Sequence, residues 1–177
     1  LSIENRDLID IESNILALID KEVDFLKAYE MLNENQFLTL TKIARKRKLN
    51  VTGHIPLSMT LFSAVNSGLN GMEHLRNLEL SIASNAEQLH EERIKLLKNP
   101  KGLPGSTLRS SIHSKQRMSA IDSVDNNKFE EAANLLASKN VWQTPTLILY
   151  RTYAKKSYLD PSFLLELNKL PKQVKEK

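Results

Sequence analysis

Residues 50–74 read N-V-T-G-H-I-P-L-S-M-T-L-F-S-A-V-N-S-G-L-N-G-M-E-H. A short apolar run closes on His54, an amphipathic segment follows, and a second short run closes on His74. The two histidines are 20 residues apart, which is the length of one strand-helix step in a parallel sheet, so both imidazoles are expected on one rim. Ser58 is expected to cap the intervening helix, Leu61, Ala64 and Val65 to form its buried face, and Gly68 to supply its left-handed terminus.

The same beat extends toward the amino end. Val23 to Tyr29 (V-D-F-L-K-A-Y) reads as a strand in which Val23, Phe25, Lys27 and Tyr29 share one side, and Asp24, Leu26 and Ala28 the other. Lys27 inside that run needs a partner or a purpose. Leu8, Ile11, Ile15 and Leu18 recur at helical spacing, predicting a helix from about Arg6 to Glu22. Asn33 or Asn35 can cap the next helix, with Phe37, Leu40, Ile43 and Ala44 inward and Lys42, Arg45, Lys46 and Lys48 in water.

Toward the carboxyl end the pattern changes. Leu78 to Asn99 reads as one long helix and Pro100 to Ser111 as a loop, together a helical insertion after the third strand. A further helix runs through Phe129, Ala132, Ala133, Leu136 and Ala137, and Val141 to Tyr150 reads as a fourth strand made irregular by Pro145. Asp160-Pro161 opens a last short helix before the basic tail from Lys169. The expected organisation is β/α units over 1–77, the insertion over 78–122, a helix and strand over 123–160, and a terminal helix and tail over 161–177. Strands alternating with helices argue for an α/β class with a parallel sheet. Four strands are too few to close a barrel.

Composition sets outer bounds. At 177 residues, with 41% hydrophobic and 26% charged residues, the chain suits one ordinary globular domain, or part of a larger one. No apolar run approaches the roughly 20 residues of a membrane span, and no targeting segment is readable at Leu1. The expectation is therefore a soluble chain with no membrane partner and an undetermined compartment. With no cysteine, any metal would be held by nitrogen and oxygen ligands. The net charge of +4 is mild, and the basic run Lys42 to Lys48 (K-I-A-R-K-R-K) lacks interleaved aromatics, so it reads as a solvated helix face and no nucleic-acid partner is expected.

Strand ends on the carboxyl side of a parallel sheet open into the loops where active sites are built. Neutral imidazole is a common zinc ligand, and His54 and His74 on adjacent strands would supply half of a tetrahedral shell. A single strand-end histidine would more often be structural; two in consecutive units, with Lys27 one unit earlier, favour a metal. Lys27 has two readings. Its ammonium can pair with a carboxylate such as Glu73, or its neutral amine can react with carbon dioxide to give a carbamate that bridges two ions. Glu73 adjoins His74 and is expected on the opposite strand face, in a structural ion pair. His90 and His113 are expected to face solvent.

Taken in order, D-F-L-K-A-Y, V-T-G-H-I-P, S-G-L-N-G-M-E-H-L and V-W-Q-T-P-T-L resemble strands four to seven of the amidohydrolase superfamily, in its imidazolonepropionase-like and prolidase-like branch of metal-dependent hydrolases. The resemblance spans roughly Glu22 to Tyr150. It implies a portion of a (β/α)8 TIM barrel with one or two divalent metals, usually zinc, at the rim, and a small-molecule or peptide substrate whose amide, peptide or cyclic amide bond is hydrolysed by metal-activated water. It maps Lys27 to the carbamate position and His54 and His74 to the ligands of the next two strands. Tyr29, Arg76, Asn77 and Tyr150 then fall at rim positions that could contact substrate or serve as ordinary loop residues. Such enzymes also use an H-x-H pair and a strand-eight aspartate as general base. Neither is present in this sequence, so no catalytic residue is assigned and the expected metal site is incomplete. The alternative is a catalytically inactive α/β portion with a structural role, associating through exposed sheet edges.

Overall fold

Asp7 starts the first helix, its carboxylate accepting from the N–H groups of Ile9 and Asp10 at 2.8 Å. Helix α1 (Leu8–Ile19) buries Ile11 and Ile15 in the computed structural model, which describes residues 3, 7–154 and 160–175. Strand β1 (Phe25–Ala28) alternates as expected, with Leu26 and Ala28 buried and Phe25 and Lys27 exposed. A capping box between Asn33 and Gln36 opens α2 (Glu34–Lys46), whose buried stripe includes Phe37, Leu40 and Ala44.

Strand β2 (Asn50–Gly53) leads to α3 (Leu61–Ser67), and Gly68 ends that helix in the left-handed conformation at φ +116°. The cap is Thr60, not Ser58. Leu57 donates its N–H to the Glu30 carbonyl at 2.8 Å, and the Ser58 hydroxyl donates to Leu32 O at 3.1 Å. The chain is thus pinned to the preceding loop until residue 59, and the helix starts later. Strand β3 (Gly71–Glu73) follows, and α7 (Asn126–Ser138), capped by Asp125, precedes β4 (Trp142–Thr144).

All four strands are parallel in the order β1-β2-β3-β4, with Lys27 opposite Thr52, Thr52 opposite Gly71 and Gly71 opposite Trp142. Leu26, Ala28, Val51 and Met72 point from the sheet into a core shared with α1, α2, α3 and α7. The other face carries Phe25, 52% exposed, and Trp142, 80% exposed. Sequential parallel strands with helices on one face describe a singly wound sheet, unlike a doubly wound fold with both faces covered.

Three expected elements are corrected. The long helix over 78–99 is two helices, α4 (Leu78–Ser81) and α5 (Ala86–Lys98), because residues 82–85 pair elsewhere: Ala83 bridges Val124, Asp125 donates to Ile82 O, and Ser84 donates to Ser123 O. The expected loop over 100–111 becomes helix from Gly105, as α6 (Gly105–Asp122). Leu108 and Ile112 bury with Leu57 against Leu96 and Leu97, and that packing overrides the weak helical propensity of P-G-S-T. The strand over 141–150 stops at Thr144. Pro145 has no N–H for the ladder, Thr146 turns at φ +58°, and α8 (Leu147–Ala154) begins.

The chain divides into two units, Leu1–Pro145 and Thr146–Lys177. The second contains α8, α9 (Pro161–Leu167), capped by Asp160, and α10 (Lys172–Lys175). Among the described residues no helix is long and apolar enough to cross a membrane.

Gly53 is the tightest point of the sheet. Its φ is +126°, and a Cβ there would lie 2.1 Å from the Ala28 carbonyl oxygen. Gly53→Ala is expected to lower the unfolding free energy by about 2–4 kcal/mol, from strain added to displaced backbone. Urea denaturation reads this; an unchanged midpoint would show that the strand end accommodates a side chain.

Candidate metal centre

Where β2 ends, the Gly53 backbone lies against Ala28, and the His54 N–H donates to Ala28 O at 3.1 Å. His54 is thereby fixed just past the strand, 3% exposed. In-register partners in a parallel sheet point the same way, so Lys27, Thr52 and Gly71 share a face, and two residues further on so do Tyr29, His54 and Glu73. Glu73 therefore shares the Lys27 and His54 face, contrary to the expectation that only His74 of the pair would. His74 arrives differently: its N–H bonds Thr144 O at 2.8 Å, and its backbone turns left-handed at φ +60°, followed by Leu75 at +53°. Two consecutive non-glycine residues in that region are uncommon and cost roughly 1–2 kcal/mol each. The turn swings the imidazole back beside its neighbours.

Ligand atoms of His54, Glu73 and His74 all lie within 4.8 Å of one another. The rings of His54 and His74 meet edge to face at 5.3 Å, and Tyr29 lies 4.9 Å from His54. Lys27 Nζ donates to Glu73 Oε2 and sits 5.8 Å from the Tyr29 ring centroid. Lys27 is thus an ammonium paired with a carboxylate, and Glu73 stands with the two histidines. Burial, and then the nearby charge of His54, push the His74 imidazole below its ordinary range, outweighing Glu73. A neutral ring keeps the lone pair that a metal requires.

Behind His54 lies a fully buried carboxylate absent from the sequence-based expectations. Glu30 is 0% exposed. Its Oε2 accepts from His113 Nε2 at 2.7 Å, its Oε1 lies 2.9 Å from His54 Nδ1, and Arg76 Nε approaches Oε1 to 3.7 Å. Apart from this 2.9 Å contact, neither Glu30 Oε1 nor His54 Nδ1 has a hydrogen-bond partner among the described residues. Burial raises the Glu30 pKa, but the hydrogen bonds and charges of His113 and His54 together outweigh it and hold the carboxyl well below the usual carboxylate range. His54 Nε2, on the far side of the ring, is buried with no hydrogen-bond partner among the described residues. A buried orphan nitrogen is costly unless something binds it. Two imidazoles and a carboxylate with ligand atoms within 4.8 Å of one another form a donor set that suits a divalent cation such as zinc.

The remaining candidates separate. Asn77, at φ +68°, is buried and bonds inward, donating to Ile55 O at 2.9 Å and accepting from Arg93. Arg76 turns toward Glu30. Tyr29 stands beside His54 at the rim. Tyr150 is on α8 in the second unit, outside the strand expected for it. His113 is corrected: it is not solvent-facing, its side chain being 11% exposed and bonded to Glu30. His90 also departs from that expectation, being half-buried beside a cavity of about 480 Å³. Burial, ahead of the neighbouring Arg93, pushes its pKa down. The one sequence hint of Glu30 is an acid directly after the strand run Val23 to Tyr29, and nothing local marks His113 as its partner.

Comparison with protein-family models, curated proteins and solved structures gives no significant match. The resemblance to amidohydrolases rests on the four motifs.

Glu30 is held ionised by its partners well below the usual carboxylate range. Its contribution to stability is fully present above the ordinary value of 4.5 and is lost as pH falls below it. Urea denaturation of the metal-free protein between pH 6 and pH 3 is expected to show stability falling with acid, and a shallower fall in Glu30→Gln. Equal slopes in the two proteins would show that Glu30 is not held ionised.

Proposed function

We propose that this chain carries part of the metal centre of a metal-dependent hydrolase of the amidohydrolase type, acting on amide, peptide or cyclic amide C–N bonds. The convergence of His54, Glu73 and His74 ligand atoms within 4.8 Å, together with a His54 Nε2 that is buried and unpartnered among the described residues, carries the reading. The singly wound sheet supports it, since sequential parallel strands with helices on one face build the wall of a (β/α)8 barrel. The cluster stands at the carboxyl ends of β2 and β3, where such barrels place their sites.

His54 and His74 would hold the ion through nitrogen, and Glu73 through oxygen. Bound there, a divalent cation supplies Lewis-acid polarisation of a scissile carbonyl and a lowered pKa for water. Lys27 neutralises Glu73 as an ammonium. To serve instead as a carbamate ligand it must leave that carboxylate and lose a proton; at 42% exposure its amine is accessible to carbon dioxide. Tyr29, 4.9 Å from the His54 ring and 5.8 Å from Lys27 Nζ, stands at the rim beside them.

Calorimetric titration with zinc at pH 7.5 is expected to show one site that weakens at least tenfold in His54→Ala and in His74→Ala. Identical isotherms for wild type and the double variant would overturn the reading. Because the sequence has no H-x-H pair, the zinc-loaded chain alone is expected to hydrolyse dipeptides and lactams negligibly. Rapid turnover would contradict that division of labour.

A further inference from the structure

We propose that Glu30 and His113 are positioning residues: the Glu30 carboxylate, anchored by His113 from the inserted helix α6, holds His54 as its Nδ1–H tautomer, so that Nε2 presents a lone pair outward. The consequence for metal binding rests on the metal-centre reading above; the tautomer itself does not.

A neutral imidazole has one donor and one acceptor nitrogen, and the group facing one of them decides which is which. Glu30 Oε1 stands 2.9 Å from His54 Nδ1, and an ionised carboxylate only accepts, so the proton belongs on Nδ1. Nε2, buried and without a partner among the described residues, is then left as the acceptor of a ring that lies with His74 and Glu73.

The carboxylate is itself immobilised. It is fully buried, its second oxygen accepts from His113 Nε2 at 2.7 Å across 83 residues of sequence, and its own carbonyl accepts from Leu57 N–H at 2.8 Å. His113 is set in turn by its neighbour Ile112, 0% exposed and packed with Leu57 and Leu108. The insertion between β3 and α7 thus completes the supporting shell of a ligand on β2. Without His113 the described residues leave the carboxylate, apart from His54 itself, the Arg76 guanidinium at 3.7 Å, and the carboxylate could rotate away from the ring.

Long-range nitrogen–proton correlation NMR on histidine-labelled, metal-free protein reads the tautomer directly. His54 is expected to be protonated on Nδ1 in wild type and to shift toward the Nε2–H form in Glu30→Ala and in His113→Phe. Zinc affinity is expected to fall 10–100-fold in Glu30→Ala and by a smaller factor in His113→Phe. Should Glu30→Ala not fold, His113→Phe, which keeps an apolar ring in the same place, carries both readouts. An Nε2–H tautomer in wild type overturns the proposal, as does a tautomer or a zinc affinity that neither variant changes. A wild type that takes up no zinc, yet whose His54 still changes tautomer in the variants, sinks the metal-centre reading and supports the positioning contact.

Discussion

Glu30 is a charge taken wholly out of water, and the structure around it follows from that cost. A buried carboxylate is tolerated only where donors surround it. Its partners come from three distant segments: His113 on α6 donates a hydrogen bond, while His54 after β2 and Arg76 after β3 stand in ion-pair contact. Each can reach Glu30 only if its own element is docked. The loop after β2 is docked by Leu57, whose N–H bonds the Glu30 carbonyl, and α6 by Leu108 and Ile112. Satisfying one carboxylate therefore ties the sheet's carboxyl end to the insertion.

Next to it runs a second polar layer. Asn77 bonds Ile55 O and Arg93, and Arg93 donates through Nε to Gln116 on α6 at 3.0 Å, while Gln116 donates to Leu89 O at 2.7 Å. Burial pulls the Arg93 guanidinium down to about 10, against Glu79 and Glu30, so it stays charged at neutral pH. These contacts knit α5 and α6 to the turn after His74. That turn is held left-handed at His74, Leu75 and Asn77, and strain of this kind persists only where the surroundings over-determine the backbone. Here it decides that His74 joins His54 and Glu73.

Lys27 and Glu73 form an ion pair that also borders the histidine cluster. An ammonium on an exposed sheet face beside a half-buried carboxylate needs no further explanation as an ion pair. The same carboxylate stands with the two imidazoles, so the pair also sets the charge at the cluster. A cation arriving there would compete with Lys27 for Glu73.

The sequence by itself determined the strand-helix rhythm from α1 to β3, because hydrophobic spacing, Asn33, Gly68 and the run lengths are local signals with one physical reading. It also placed His54 and His74 in consecutive units, and offered Glu73 as a partner for Lys27. It did not determine the break between α4 and α5, the helical start at Gly105 or the stop of β4 at Thr144, where tertiary pairing, apolar burial and a missing proline donor overrode local propensity. Nor could it show that Glu73 rather than His74 continues the Lys27 and His54 face, since the left-handed turn at His74 needs no glycine to announce it. The Glu30–His113 contact was beyond local reading altogether. Two residues 83 positions apart meet only once the insertion has packed, and desolvation acts on the assembled structure, not on the chain.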